Sequence, residues 1–250
     1  MSEMLRVKGL TKYFGGFLAV DNVSLNFKPG VLTSIIGPNG AGKTTLINLL
    51  TGNLRPNRGK VFFKDKDITR LPTEKRVKRG ISRSFQIMTI FPSLTVKQNI
   101  QLPALSLLGE NRGFWSRADD YHDATEWVEG MLKEVMLWDK KDVLAGELSH
   151  GDMRLLEMGI ALTPKPELCF LDEPSSGMNP VERAKALELI KRLATKGETT
   201  FIIVEHDMDV VFSLSERIVV MNRGGILADG EPEQIKENKE VRGVYLGEEV

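Results

Sequence analysis

The stretch Gly37-Pro38-Asn39-Gly40-Ala41-Gly42-Lys43-Thr44, continued by Thr45, constrains this chain more than any other. Glycine, four residues, then Gly-Lys-Thr is a spacing that lets a backbone wrap closely around an anion, provided a strand precedes it and a helix follows. Both are predicted here. Val31 to Ile36 is a short β-branched apolar run, the pattern of a buried parallel strand, and Lys43 to Leu50 carries an apolar face at helical spacing. In that setting successive N–H groups and the helix start point at phosphate oxygens. Lys43 would reach the β- and γ-phosphates of a nucleotide, and the Thr44 hydroxyl would ligate Mg²⁺. The plain alternative, a glycine-rich turn before a helix, fits the strand–loop–helix context less well.

Length leaves room for one large domain or two small ones: 250 residues, 41% hydrophobic and 27% charged, an ordinary globular composition. Thirty-four basic residues balance 34 acidic ones, so bulk charge points to neither nucleic acid nor a membrane surface. No segment approaches the roughly 18 apolar residues that span a bilayer, and the N-terminal residues lack the apolar core of a signal peptide. Action at a membrane would therefore go through a partner. The single cysteine, Cys169, rules out an intramolecular disulfide and fits a reducing compartment.

Periodicity divides the chain. Leu5 to Leu10 and Phe17 to Phe27 alternate as half-buried strands, with Leu25 and Phe27 on one face. Phe14 lies between them beside Gly15 and Gly16, where it is either packing or a face for adenine to stack on. Lys60 to Lys64 with Asp67 and Ile68 reads as a hairpin. Pro72 to Arg79 reads as a short basic helix, either a solvated face or a dock for an acidic partner. Ile81 to Gln86 reads as a strand. From Phe91 to about Thr163 the pattern turns helical, with a loop between Leu108 and Arg117. The β pattern returns at Glu167 to Leu171 and Thr199 to Val204, both continuous apolar runs. Between them Asn179, Pro180 and Glu182 form a helix start with a capping box. A hairpin over 217–228 and a last helix from about Pro232 complete the reading: an α/β domain with a helical insertion.

The chemistry sits at strand ends. Leu168 to Leu171 runs into Asp172-Glu173, and carboxylates at the C-terminal end of a parallel strand face the same crevice as a phosphate loop. Asp172 would hold Mg²⁺ through water, and Glu173 would polarise the attacking water. His206, after the next strand, is either structural or a donor to the γ-phosphate. Gln86 would orient water or complete the Mg²⁺ shell. Leu148-Ser149-His150-Gly151-Asp152 has no chemistry alone, but a Ser hydroxyl and a Gly amide at a helix start suit an anion.

Taken in order, these stretches resemble the nucleotide-binding subunits of ABC (ATP-binding cassette) transporters, over essentially the whole chain. Phe14 matches the adenine-stacking aromatic, Gly37 to Thr44 the Walker A motif, and Gln86 the Q-loop. Leu148 to Asp152 matches the signature, Leu168 to Glu173 Walker B, and His206 the switch histidine. The resemblance implies a P-loop NTPase fold, with a parallel-sheet core, an N-terminal antiparallel β-subdomain and an inserted α-helical subdomain. Residues 1–86 and 164–250 would form the core and 87–163 the signature subdomain. It also implies a head-to-tail dimer, homodimeric or with a paralogue, holding two ATP molecules, with Ser149 and Gly151 contacting the partner's γ-phosphate. Membrane permease subunits near the Q-loop would place the chain on the cytoplasmic face of the membrane, and a solute-binding protein would act at one remove.

Three positions depart from the family pattern. His150 and Asp152 replace Gly and Gln in the signature, and Asn179 stands where the loop after Walker B often has Asp. The stretches 176–180 (Ser-Gly-Met-Asn-Pro), 204–208 (Val-Glu-His-Asp-Met), the tail from Glu231 to Gly247 and the helical region with its 111–115 loop are similar to importers of branched-chain amino acids, amides and urea. A lipid or lipopolysaccharide exporter ATPase, and a soluble ABC ATPase such as an iron–sulfur assembly factor, are the other readings.

Overall fold

Two sheets share one buried layer of side chains. The computed structural model describes residues 3–84, 90–109 and 118–246, with side chains from 107 to 124 and beyond 244 left aside. The first sheet is antiparallel, in the order β2-β1-β4-β5, with β1 Leu5–Phe14, β2 Phe17–Phe27, β4 Arg58–Phe63 and β5 Lys66–Asp67. The second runs β10-β9-β3-β8-β7-β6. Its parallel core is β3 Thr33–Ile36, β6 Ile81–Arg83, β7 Leu168–Asp172, β8 Thr200–Val204 and β9 Arg217–Asn222, with β10 Gly225–Gly230 antiparallel at the edge.

The continuous apolar runs are explained by what covers each face. On β7, Leu168 and Phe170 join the core beneath the antiparallel sheet and helix α1 Lys43–Thr51. Cys169 and Leu171 point the other way, among the helices α3 Val96–Gly109, α4 Ala118–Glu134, α5 His150–Leu162 and α6 Pro180–Lys196. β8 does the same with Ile202 and Val204 on one side and Phe201 and Ile203 on the other. A strand alternates sides with a period of two, so a strand covered on both faces must be apolar throughout. A third cluster seats α7 Met208–Leu214, α8 Pro232–Glu237 and α9 Lys239–Leu246 on β9 through Val211, Ile235 and Val241.

The α/β reading thus holds, with a parallel sheet, an antiparallel sheet and helices where the periodicities put them. Two expectations need correction. Helix α3 runs through Gly109, past the expected loop start at Leu108. The basic stretch over 72–79 contains the short helix α2 Thr73–Val77, and Arg76 on it is neither solvated nor a dock. Arg76 is buried, and its guanidinium donates to the carbonyls of Leu49, Leu50, Ile68, Thr69 and Leu71. It closes the carbonyl end of α1, where orphan acceptors accumulate. Burial pushes its pKa down to about 10. Cys169 is buried as well, and burial raises its thiol to about 12, which keeps it inert.

Candidate functional site

β3 delivers the phosphate loop, and the loop's own backbone explains its glycines. Gly37, Gly40 and Gly42 have φ of 155°, 80° and 100°. A Cβ on Gly37 would lie 2.3 Å from the Met221 carbonyl oxygen, and one on Gly42 would lie 2.4 Å from that of Ala19. No side chain fits either place. The loop is also tied to the β9–β10 turn, since the Gly224 N–H donates to the Ala41 carbonyl and the Asp21 N–H to the Gly224 carbonyl. The cradle is therefore set by the fold before any ligand enters it.

Lys43, the first residue of α1, turns its Nζ back over the loop and donates to the carbonyls of Gly37 at 2.6 Å and Pro38 at 3.1 Å. Partial burial lowers its pKa from the ordinary lysine value, while Glu173 and Asp172 oppose that shift. A cation held over converging amides is what a polyphosphate chain meets in such a loop.

The strand ends bring the carboxylates to the same place. A cleft of about 310 Å³ is lined by Asn39 to Thr45 together with Asp172, Glu173, Val204, Phe17 and Ala19. The expectation that Walker A and Walker B residues converge is met in one cavity. Asp172 is buried, and its Oδ2 accepts from Arg83 at 2.6 Å. The same guanidinium donates to Asn48 Oδ1 on α1 at 2.5 Å. Glu173 sits at φ 47°, in the left-handed region that non-glycine residues avoid at a cost of roughly 1–2 kcal/mol. Its N–H is anchored to the Val204 carbonyl.

His206 stands beyond Glu173, with Nδ1 3.6 Å from Oε1, too long for a hydrogen bond. Its side chain is 64% exposed, so it borders the cleft rather than lining it. Behind it Glu205 is buried, accepting from the N–H and hydroxyl of Ser175 and from the His206 N–H. Gln86 lies outside the described residues.

Two aromatic rings stand at the paired ends of β1 and β2. Phe14 ends β1 half-exposed, with Lys12 Nζ 5.3 Å from its ring centre. Its cross-strand partner is Phe17, and Phe17 lines the cleft. The turn between them carries both rings to the same edge.

Ser149 and Gly151 stand apart from this cleft. Ser149 caps α5, its Oγ accepting from the Asp152 N–H, and it donates to Glu182 Oε1 at 3.1 Å. The departures from the family pattern find local partners. Asp152 pairs with Lys140 and lies in the first turn of α5, where a carboxylate favours the helix dipole. The His150 ring packs against Gly177, whose φ of 74° and lack of a side chain make room for it. Asn179 caps α6, accepting from Val181 and Glu182 N–H in a capping box with Glu182.

Residues 20–176 match the family model described as ABC transporter. The chain is 38% identical over 254 aligned residues to the high-affinity branched-chain amino acid transport ATP-binding protein LivG of Escherichia coli, covering 98% of each chain. The chain belongs to the ABC transporter family. It is an ATP hydrolase, the subunit type that binds and hydrolyses ATP. An ATP-binding cassette of an ABC transporter, solved in its ADP conformation, superimposes with a TM-score of 0.84 at 34% identity, covering 99% of this chain and 100% of that one. A dimeric cassette in a post-hydrolysis state with ADP and Pi gives 0.79 at 26% identity, over 92% of this chain and 99% of that one. Two residues at this site, Phe17 and Arg83, carry no functional signal of their own in the sequence. Each flanks a motif or lies within a few residues of one, and that adjacency was their only signal.

Proposed function

We propose that this cassette powers the import of branched-chain amino acids or closely related small polar solutes. The cleft that joins the phosphate loop to Asp172 and Glu173 carries the ATPase part of this reading. The cargo rests on the names of the relatives, among them LivG and the Pseudomonas aeruginosa protein BraF, which is 38% identical over 98% of each chain.

In this reading the amides of residues 37–45 and the Lys43 ammonium bind the β- and γ-phosphates. Phe14 and Phe17 wall the base. Among the described residues no three His, Cys, Asp or Glu gather around a point. Mg²⁺ prefers a carboxylate, a hydroxyl, water and phosphate oxygens to an all-protein cage. Thr44 and Asp172 supply such donors in the one cleft. When bound there, Mg²⁺ would neutralise charge on the phosphates. Glu173 orients a water and accepts its proton as the water oxygen attacks the γ-phosphorus, while the bond from that phosphorus to the oxygen of the β-phosphate breaks and ADP leaves. His206 swings in to donate to a γ-phosphate oxygen, and Gln86 completes the water and metal shell.

The pairing is head to tail. Ser149 and Gly151 lie outside the cleft of their own chain, so they serve a nucleotide brought by a second cassette, a copy of this chain or a paralogue. Residues 87–163 act as the signature subdomain on a core of 1–86 and 164–250. Among the described residues no helix is long and apolar enough to cross a membrane. In this reading, as for the relatives' transport role, the cassette sits peripherally on the cytoplasmic face, held by permease subunits that draw solute from a binding protein.

Copurification and uptake test the reading. The tagged chain should bring down an integral membrane permease, and cells lacking it should lose most high-affinity leucine, isoleucine and valine uptake. Recovery only with soluble partners, or undiminished uptake, would overturn it.

A further inference from the structure

The signature stretch already holds an anion, and the anion comes from the same chain. The Glu182 carboxylate accepts from the Ser149 hydroxyl through Oε1 at 3.1 Å and from the Asn179 N–H through Oε2 at 3.3 Å. Its carboxyl carbon would lie 2.4 Å from a Cβ on Gly151, so the group sits directly over that glycine. Beneath it is the start of α5, His150–Leu162, whose first turn is a place for negative charge. A carboxylate at the Ser149 hydroxyl, over a bare glycine backbone, has the charge and hydrogen-bond pattern of a phosphate edge.

We propose that Glu182 is a resident phosphate mimic on the signature half-site, displaced when the γ-phosphate of a second copy's ATP arrives. The inference rests on the head-to-tail reading above. Two anions cannot share the Ser149 hydroxyl and the Gly151 face without strong repulsion, so arrival of phosphate expels the carboxylate. Expulsion also opens the capping box of α6, because Oε2 leaves the Asn179 N–H. Asn179 ends the segment that begins at Glu173, so a nucleotide bound by the signature is felt at the chain's own catalytic carboxylate. The His150 ring against Gly177 sits midway along that segment and gives the coupling a second contact.

The charge and the cap can be separated. Glutamine also serves as the third residue of a capping box, so Glu182→Gln keeps the cap and removes the charge. In a Glu173→Gln background, sedimentation velocity reads the ATP concentration that gives half-maximal dimer. Glu182→Gln should lower it about fivefold or more, in the range of measured coupling between sites, with ATP binding by the monomer unchanged. Glu182→Ala should dimerise as readily while melting at a lower temperature. An unchanged or raised midpoint in Glu182→Gln overturns the inference alone. A raised midpoint only in Glu182→Ala assigns the residue to capping and overturns it too. If the Glu173→Gln parent itself never dimerises, the head-to-tail reading falls and the inference with it.

Discussion

Arg83 holds Asp172. The pair is buried, with side chains 6% and 3% exposed, and the guanidinium's other arm reaches Asn48 on α1. One side chain thereby fixes the carboxylate of β7 relative to the helix that follows the phosphate loop. A carboxylate aimed by an outer partner presents its remaining oxygen in one direction, and such partners typically contribute 10–100-fold in metal affinity.

Replacing Arg83 with lysine keeps the charge and loses the two-armed grip. Arg83→Lys should raise the Mg²⁺ concentration for half-maximal ATPase about tenfold. Nucleotide binding in the presence of EDTA should be unchanged. Equal weakening with and without Mg²⁺ would show that Arg83 only supports the fold.

In the proposed mechanism Glu173→Gln removes the base and leaves the phosphate loop intact. Turnover should fall at least ~100-fold, the usual span of general-base catalysis, while fluorescent ATP analogues bind as before. Undiminished turnover would take the base role from Glu173.

Ser149→Arg places a long cation where the hydroxyl now meets Glu182. ATP binding by the monomer should be untouched, because the residue lies outside the chain's own cleft. ATP-dependent dimerisation and turnover should both be lost. A variant that still closed on ATP would exclude the contact in trans.

Arg76→Met should be costly although it is far from the chemistry. It orphans buried carbonyls at the end of α1 and around α2. The expected loss is about 3 kcal/mol, or a fall of roughly 6–12 °C in Tm for a chain of this size. Unchanged melting would mean that water replaces the guanidinium.

What could be read from residues alone follows a physical division. The two-face burial of β7 and β8 appears directly as unbroken apolar runs, and the strained loop from Gly37 to Gly42 appears as its glycines. Asn179, Pro180 and Glu182 announced their own helix start. Arg76 is the opposite case, because a basic run on a short helix looks solvated until the carbonyl end of α1 is placed beside it. Arg83 and Asp172 are 89 residues apart in sequence, and Ser149 and Glu182 are 33 apart. Such pairings depend on where topology sends a side chain, which spacing does not encode. That Phe17 lines the cleft depends on the turn between β1 and β2, which pairs it with Phe14.

In the proposed pairing each chain carries two unlike halves of an ATP site. Sedimentation velocity of the Glu173→Gln protein with Mg²⁺ and either ATP or ADP addresses it most directly. A dimer with ATP and a monomer with ADP are expected, the ATP dimer retaining two nucleotides. A monomer that binds ATP tightly and never pairs would contradict it.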